Sequence, residues 1–173
     1  MKGFLLTVPV LLPLMGGGIL LLVKLAGHRR IGGKCLERVT LGVVSFNSLL
    51  VMLLLCSDMW GRRVVLFRLY SNLSVMFKLD LMGGFFAGLI AVLWPLATLY
   101  SLAYMREEKR KGTFFAYYVM TYGVTLGIAL AGNLVTLYIF YEMLTLVTFP
   151  LVLFPLSREA VLASRTYLYY SIG

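Results

Sequence analysis

One carboxylate lies in a stretch where lipid is the natural solvent. Glu142 sits inside the run LYIFYEMLTLVTF, nine residues after Asn133 and twelve before Phe154. On a helix those separations are about 14 and 18 Å, so the group falls near the middle of a membrane-length segment. An ionisable side chain at that depth costs about 2.5–3.5 kcal/mol on insertion scales. Such a residue handles a proton or a cation, or it serves as hydrogen-bonded glue for a neighbouring helix. A carboxyl group there feels two opposed pulls. Desolvation favours the neutral acid, and a nearby cation favours the anion. A group between those pulls exchanges its proton when the partner moves.

The surroundings of Glu142 are polar in a patterned way. Tyr138, Tyr141, Glu142, Thr145 and Thr148 follow the spacing of one helix face. The preceding run repeats the pattern with Tyr118, Thr121, Tyr122 and Thr125. Two such stripes on adjacent, tightly connected helices are expected to face each other and to hold water beside the carboxylate. Interhelical hydrogen bonding alone produces the same stripes. The candidate ion-handling residue is therefore Glu142. The candidate polar lining is Tyr138, Thr145 and Thr148 with Tyr118, Thr121, Tyr122 and Thr125.

The elements that must carry these residues follow from composition. Of 173 residues, 61% are hydrophobic and only 13% charged. Soluble domains carry about 25% charged residues, so a soluble fold is excluded. Five long apolar runs appear, at about Gly3–Leu25, Val39–Cys56, Leu81–Tyr104, Phe114–Ala131 and Leu134–Phe154. A sixth begins at Ala160 and stops at Gly173, as expected of a truncated chain, a split gene or a fragment. The first run is too long for a signal-peptide core and lacks a convincing cleavage site, so it reads as a retained span. The predicted fold class is all-α: a polytopic transmembrane bundle of about five spans, forming a single membrane domain over residues 1–173.

Residues 57–79 break the pattern. Apolar residues alternate with polar or basic ones on both sides of Ser71-Asn72, which predicts an extramembrane hairpin or loop. Orientation comes from the loops. Lys24, Arg29, Arg30, Lys34, Arg38, Arg106, Lys109, Arg110, Lys111, Arg158 and Arg165 fall on one side, eleven in all. Lys2, Arg62, Arg63, Arg68 and Lys78 fall on the other, five in all. The positive-inside rule places the N-terminus and the hairpin outside and the Arg106–Lys111 loop in the cytoplasm of a cell membrane. The net charge of +9 thus belongs to topology and anionic lipid rather than to nucleic acid.

The remaining residues point to packing. Gly84 and Gly88, and Gly123 and Gly127, make GxxxG pairs that admit close helix contact. Gly16-Gly17-Gly18 has no strand–loop–helix context and is not a phosphate loop. Asp80 reads as a helix cap, Gly132-Asn133 as a turn, and Asn47 as a mid-span amide that needs a partner. Pro95, Pro150 and Pro155 are expected to kink or end their helices. Cys35 and Cys56 flank the second run about 31 Å apart on a helix, too far for a disulfide. No Cys/His cluster has metal-ligand spacing, and the lone His28 sits beside Arg29 and Arg30. No metal or cofactor is expected.

Two stretches carry a resemblance. FKLDLMGGFFAGLIAVLWPLATLYSLAYM is similar to the hairpin exit and third helix of the antiporter-like subunits of Mrp antiporters, respiratory complex I and membrane-bound hydrogenases. There an Asp opens the helix and a Tyr-Ser…Tyr-Met pair closes it, here Asp80, Tyr100-Ser101 and Tyr104-Met105. AGNLVTLYIFYEMLTLVTFPLVLF resembles the fifth helix of that family, in which an aromatic residue precedes an essential Glu. Here the pair is Tyr141-Glu142, where many members have Trp before the Glu. The likeness runs from about Val64 to Phe154.

The resemblance implies the N-terminal part of a fold of about fourteen spans built from two inverted repeats with broken helices. It also implies that the Glu pairs with a Lys on a later helix, and that their changes couple to proton movement. Lys24, Lys34, Lys78, Lys109 and Lys111 all lie at span ends or in loops, so that partner is not among them. The implied role is a subunit for proton or sodium translocation in a hetero-oligomeric membrane complex. The chain shows no flavin, iron–sulfur or nicotinamide site, so any quinone or hydrogenase chemistry would belong to partner subunits. The alternative is a non-transporting membrane scaffold or assembly subunit. It accounts for the GxxxG pairs equally well and for Glu142 poorly.

Overall fold

The α4 helix sits at the centre of a bundle whose other helices face outward. The computed structural model describes residues 2–25, 33–70, 73–108, 110–154 and 158–172. A 3₁₀ turn at Lys2–Leu6 precedes six α-helices: α1 (Val8–Leu25), α2 (Gly33–Leu55), α3 (Leu81–Tyr104), α4 (Lys111–Ala129), α5 (Leu134–Val152) and α6 (Arg158–Ile172). Between α2 and α3 lie two strands, β1 (Arg63–Tyr70) and β2 (Leu73–Lys78). The expected turn at Ser71-Asn72, the His28-Arg29-Arg30 run, Lys109 and Pro155 fall outside the described residues.

The helices α2, α3 and α5 are long and apolar enough to cross a membrane, by length and composition. The α4 helix is less apolar because it carries Thr113, Tyr117, Tyr118, Thr121, Tyr122 and Thr125. It is also the most enclosed, burying Phe115, Ala116, Val119, Thr121, Tyr122, Gly123, Val124, Leu126 and Gly127. Hydropathy reflects the solvent a helix faces, and α4 faces protein, so hydroxyls on it meet hydrogen-bond partners rather than lipid. The α1 helix reaches α4 through glycine. A Cβ at Gly17 would stand 2.5 Å from the Ala116 carbonyl oxygen, and one at Gly123 would stand 2.6 Å from that of Val10. Only glycine permits this backbone approach.

Local sequence sets the helix ends. The first apolar run is divided at Thr7, whose hydroxyl donates to the Phe4 carbonyl at 2.7 Å. Pro9 then occupies the first turn of α1, where its missing N–H has no intrahelical role. The α2 helix starts at Gly33, earlier than the apolar run, because Lys34, Glu37 and Arg38 extend it as good helix formers. Asp80 caps α3 and accepts the Gly83 amide at 2.8 Å. Asn133 caps α5 and accepts the Thr136 amide at 2.8 Å. Both caps have extended backbone, as N-caps require.

The hairpin is tied to the turn between α4 and α5. β1 and β2 pair antiparallel from Arg63↔Lys78, with register shifts between Val65 and Phe67 and between Arg68 and Tyr70. The far edge of β2 then bonds the helix turn. The Lys78 amide donates to the Leu130 carbonyl and the Gly132 amide to the Met76 carbonyl, both at 2.9 Å. Asn133 Nδ2 donates to the Ser74 carbonyl at 2.6 Å, and the Met76 amide donates to Thr136 Oγ1 at 2.9 Å. Phe77 tucks beneath, its ring 5.4 Å from that of Phe140. At the opposite end of the bundle, Lys111 pairs with Glu37 at 2.8 Å, Lys24 donates to Thr113, and Arg110 lies 5.0 Å over the Phe154 ring.

Candidate functional site

The face of α5 that meets α4 is apolar. Phe140 and Val147 are buried, and the Phe140 ring occupies the space a side chain at Gly127 would need. Further along, Phe154 meets Phe114 edge-on at 5.6 Å. At about 100° per residue, Glu142 lies roughly 200° around the helix from Phe140. It therefore projects away from α4. Glu142 is half-buried near the middle of α5, about 12 Å from Leu134 and 15 Å from Val152.

Its own face is bordered by α6. Thr148 Oγ1 and the Tyr167 hydroxyl are 2.8 Å apart, and Thr145 Oγ1 donates to Ser171 Oγ at 3.3 Å. Both threonines also bond the backbone one turn earlier, Thr145 to Tyr141 and Thr148 to Leu144. Tyr138 and Tyr141 stay open, at 58% and 44% exposure. The structure thus gathers Glu142, Tyr138, Thr145 and Thr148 on one side of α5. Among the described residues the ion pairs are Lys78–Asp80 and Lys111–Glu37, and Glu142 is in neither.

The α4 stripe goes elsewhere. Tyr122 is fully buried, stacks on Trp94 of α3 at 5.1 Å, and hydrogen-bonds Ser48 of α2 at 2.7 Å. The Tyr118 hydroxyl donates to the Trp94 carbonyl at 3.3 Å and receives a long bond from Thr98 at 3.4 Å. Thr121 and Thr125 hydroxyls donate to backbone carbonyls of α4 itself, those of Tyr118 and Thr121, each at 2.7 Å. The expectation that the two stripes face each other is corrected. The tight Gly127–Phe140 contact sets the roll of α4 against α5 and turns the two tyrosines toward α2 and α3. Sequence reasoning also missed Tyr167 and Ser171 as partners of the Glu142 face. Their spacing of four residues was the available signal.

Outside the bundle interior, Asp80 has a defined electrostatic setting. The Gly83 amide and, behind it, the Lys78 ammonium at 3.3 Å hold its carboxyl below the usual carboxylate range. Cys35 and Cys56 are both free and exposed. Among the described residues no three His, Cys, Asp or Glu side chains stand together as a metal site would need.

Six packed helices, three of them long and apolar enough for a bilayer, define a multi-pass helical membrane protein. The kind of subunit it resembles comes from its relatives. Over 82 residues, 47% of this chain, it is 34% identical to Na(+)/H(+) antiporter subunit A1 of Staphylococcus aureus strain bovine RF122 / ET3-1. It matches the subunit A1 of strain JH9 to the same degree. The match covers 10% of those relatives' own length. No family model matches the chain. In three dimensions, 95% of it superposes on 33% of a chain of the membrane-bound sulfane sulfur reductase, an archaeal respiratory membrane complex. The TM-score there is 0.73 at 15% identity, a likeness of fold. The resemblance to an antiporter subunit therefore holds over part of the sequence, and the fold is shared with a chain of a respiratory membrane complex.

Proposed function

We propose that this chain is the N-terminal part of a membrane subunit that contributes to proton or sodium translocation in a multisubunit antiporter or respiratory complex, with Glu142 in the ion path. The observation that carries the reading is Glu142 itself. It is an ionisable group midway along an apolar helix, half-buried, and in no ion pair among the described residues. Intramembrane carboxylates are costly and mark ion and proton pathways. Tyr138, Thr145 and Thr148 supply hydroxyls on the same side of α5. The likeness to an Na(+)/H(+) antiporter subunit supports the substrate class.

On this reading α1 to α5 are the spans and the α6 helix begins the sixth. The hairpin and the N-terminus lie outside, on the strength of the basic-residue bias. Other membrane subunits and the lipid bilayer are its partners, and the cation that neutralises Glu142 comes from a later helix or a neighbouring subunit. Proton or sodium flux in membranes containing the whole complex tests the assignment. Glu142→Gln keeps the size of the side chain and removes its titratable charge, so the complex assembles and flux falls sharply. Glu142→Asp, with the carboxylate withdrawn by one methylene, retains partial flux. Assembly of Glu142→Gln with normal pumping overturns the reading. Loss of assembly with normal flux per assembled complex favours the scaffold.

A further inference from the structure

A second polar centre lies deep between α1, α2, α3 and α4, on the other side of α4 from its Phe140 contact. It begins with a missing N–H. Pro13 lies inside α1 and cannot donate to the carbonyl four residues back, that of Pro9. Asn47 of α2 fills the gap. Its Nδ2 donates to the Pro9 carbonyl at 3.1 Å, although the two residues lie 38 positions apart. This bond fixes the amide, because the flipped form would set two oxygens against each other. Asn47 Oδ1 is thereby directed elsewhere. It is buried, on a residue with 0% exposure, and has no hydrogen-bond partner among the described residues.

A complementary orphan belongs to the same cluster. Trp94 Nε1 is a buried donor with no partner among the described residues, and its ring stacks on Tyr122 at 5.1 Å with only 14° between the planes. The Tyr122 hydroxyl bonds Ser48, the residue next to Asn47. An unpaired donor thus lies on the ring stacked against Tyr122, and an unpaired acceptor on the residue next to the partner of its hydroxyl. Buried polar atoms are almost always satisfied, by protein or by ordered water. A site with several polar partners can bind water, whereas an apolar cavity stays dry.

We propose that Asn47, Ser48, Tyr122 and Trp94 hold buried water, which donates to Asn47 Oδ1 and accepts from Trp94 Nε1. The site is neutral, and its indole donor opposes a cation. The Pro13–Pro9–Asn47 relation creates it by fixing which end of the amide is left over. It stands apart from the Glu142 face of α5 and does not depend on the function assigned there.

Radiolytic footprinting in ¹⁸O-labelled water tests it, on the whole protein in membranes or nanodiscs. Hydroxyl radicals formed by an X-ray pulse reach a buried ring only where water adjoins it. Phe115, equally buried on the same helix, is the dry control. Tyr122 is expected to take up label several-fold faster than Phe115. In Asn47→Leu, which removes the acceptor, the Tyr122 rate falls toward that of Phe115. If that variant fails to accumulate, Trp94→Phe keeps a stacked ring, removes the donor and is expected to give the same fall. Labelling of Tyr122 at the Phe115 rate in the native protein overturns the proposal. So does an unchanged Tyr122 rate in a folded variant.

Discussion

The α4 helix and the α5 helix carry the same kind of polar stripe, and the fold treats them in opposite ways. On α4, Tyr122 is fully buried, Tyr118 is half-buried, and both hydroxyls are bonded within the bundle. On α5, Tyr138 and Tyr141 are open, Glu142 is half-buried, and only Thr145 and Thr148 are covered, by the terminal α6. The first stripe is finished by this chain. The second is finished on one flank only. A stripe of tyrosines and threonines announces hydrogen bonding and leaves open which helix supplies it.

The most severe way to break this comparison is Glu142→Gln, which is expected to bring coupled flux in the whole complex close to background while subunit content is preserved. Next comes Gly127→Leu. The added side chain occupies the position of the Phe140 ring, and overpacking of this kind costs about 1–3 kcal/mol or more. A lowered melting temperature of the purified protein in detergent is the readout, and an unchanged one would mean that α4 and α5 are not locked by this contact.

Tyr122→Phe sharpens the contrast. It removes the bond to Ser48 and keeps the stack on Trp94, at an expected cost of roughly 0.6 kcal/mol, the average for interhelical bonds in membranes. Thermal unfolding should record that loss, and flux should stay near normal. A flux defect as deep as that of Glu142→Gln would join the two polar centres into one path. Thr148→Val, which releases Tyr167, is expected to cost a similar amount and to loosen α6 from α5, read as faster proteolysis of the terminal helix.

The smallest effect concerns Asp80. Its carboxyl is held below the ordinary range by the Gly83 amide and by Lys78. A depressed native value means that the unfolded state binds the proton more tightly. The stabilisation is therefore complete above the unfolded value, about 3.9, and is lost as pH falls through the lower native one. The group is about half exposed, so solvent screening keeps the contribution small. Asp80→Asn retains a good N-cap and removes the charge. The native protein should be slightly more stable than the variant near neutrality, and the two stability curves should converge in the acid limb, where Asp80 takes up its proton.

The caps show how much local sequence reveals. Asp80 was legible as a cap and Asn133 only as part of a turn, and each precedes an apolar run and accepts an amide of the first turn. The place of Glu142 midway along α5 was legible for a similar reason, because it follows from counting residues along a helix. The alternation over 57–79 gave the segment that forms β1 and β2, whereas its docking onto Leu130–Gly132 pairs residues distant in sequence and has no local signal. Asn47 was visible as an amide in need of a partner. That the partner would be the Pro9 carbonyl depends on α1 and α2 lying side by side.

The sequence by itself determined that this protein lives in lipid, where α3 and α5 begin, and that one carboxylate sits midway along α5. Those properties come from composition, period and caps, which act within a few turns of chain. Only the tertiary structure decided which way each helix is rolled. Van der Waals contact at Gly17, Gly123 and Gly127 sets that roll, because backbones and rings approach only where no Cβ intervenes. The roll turns Tyr118 and Tyr122 toward Trp94 and leaves Glu142 on the far side of α5, beside α6.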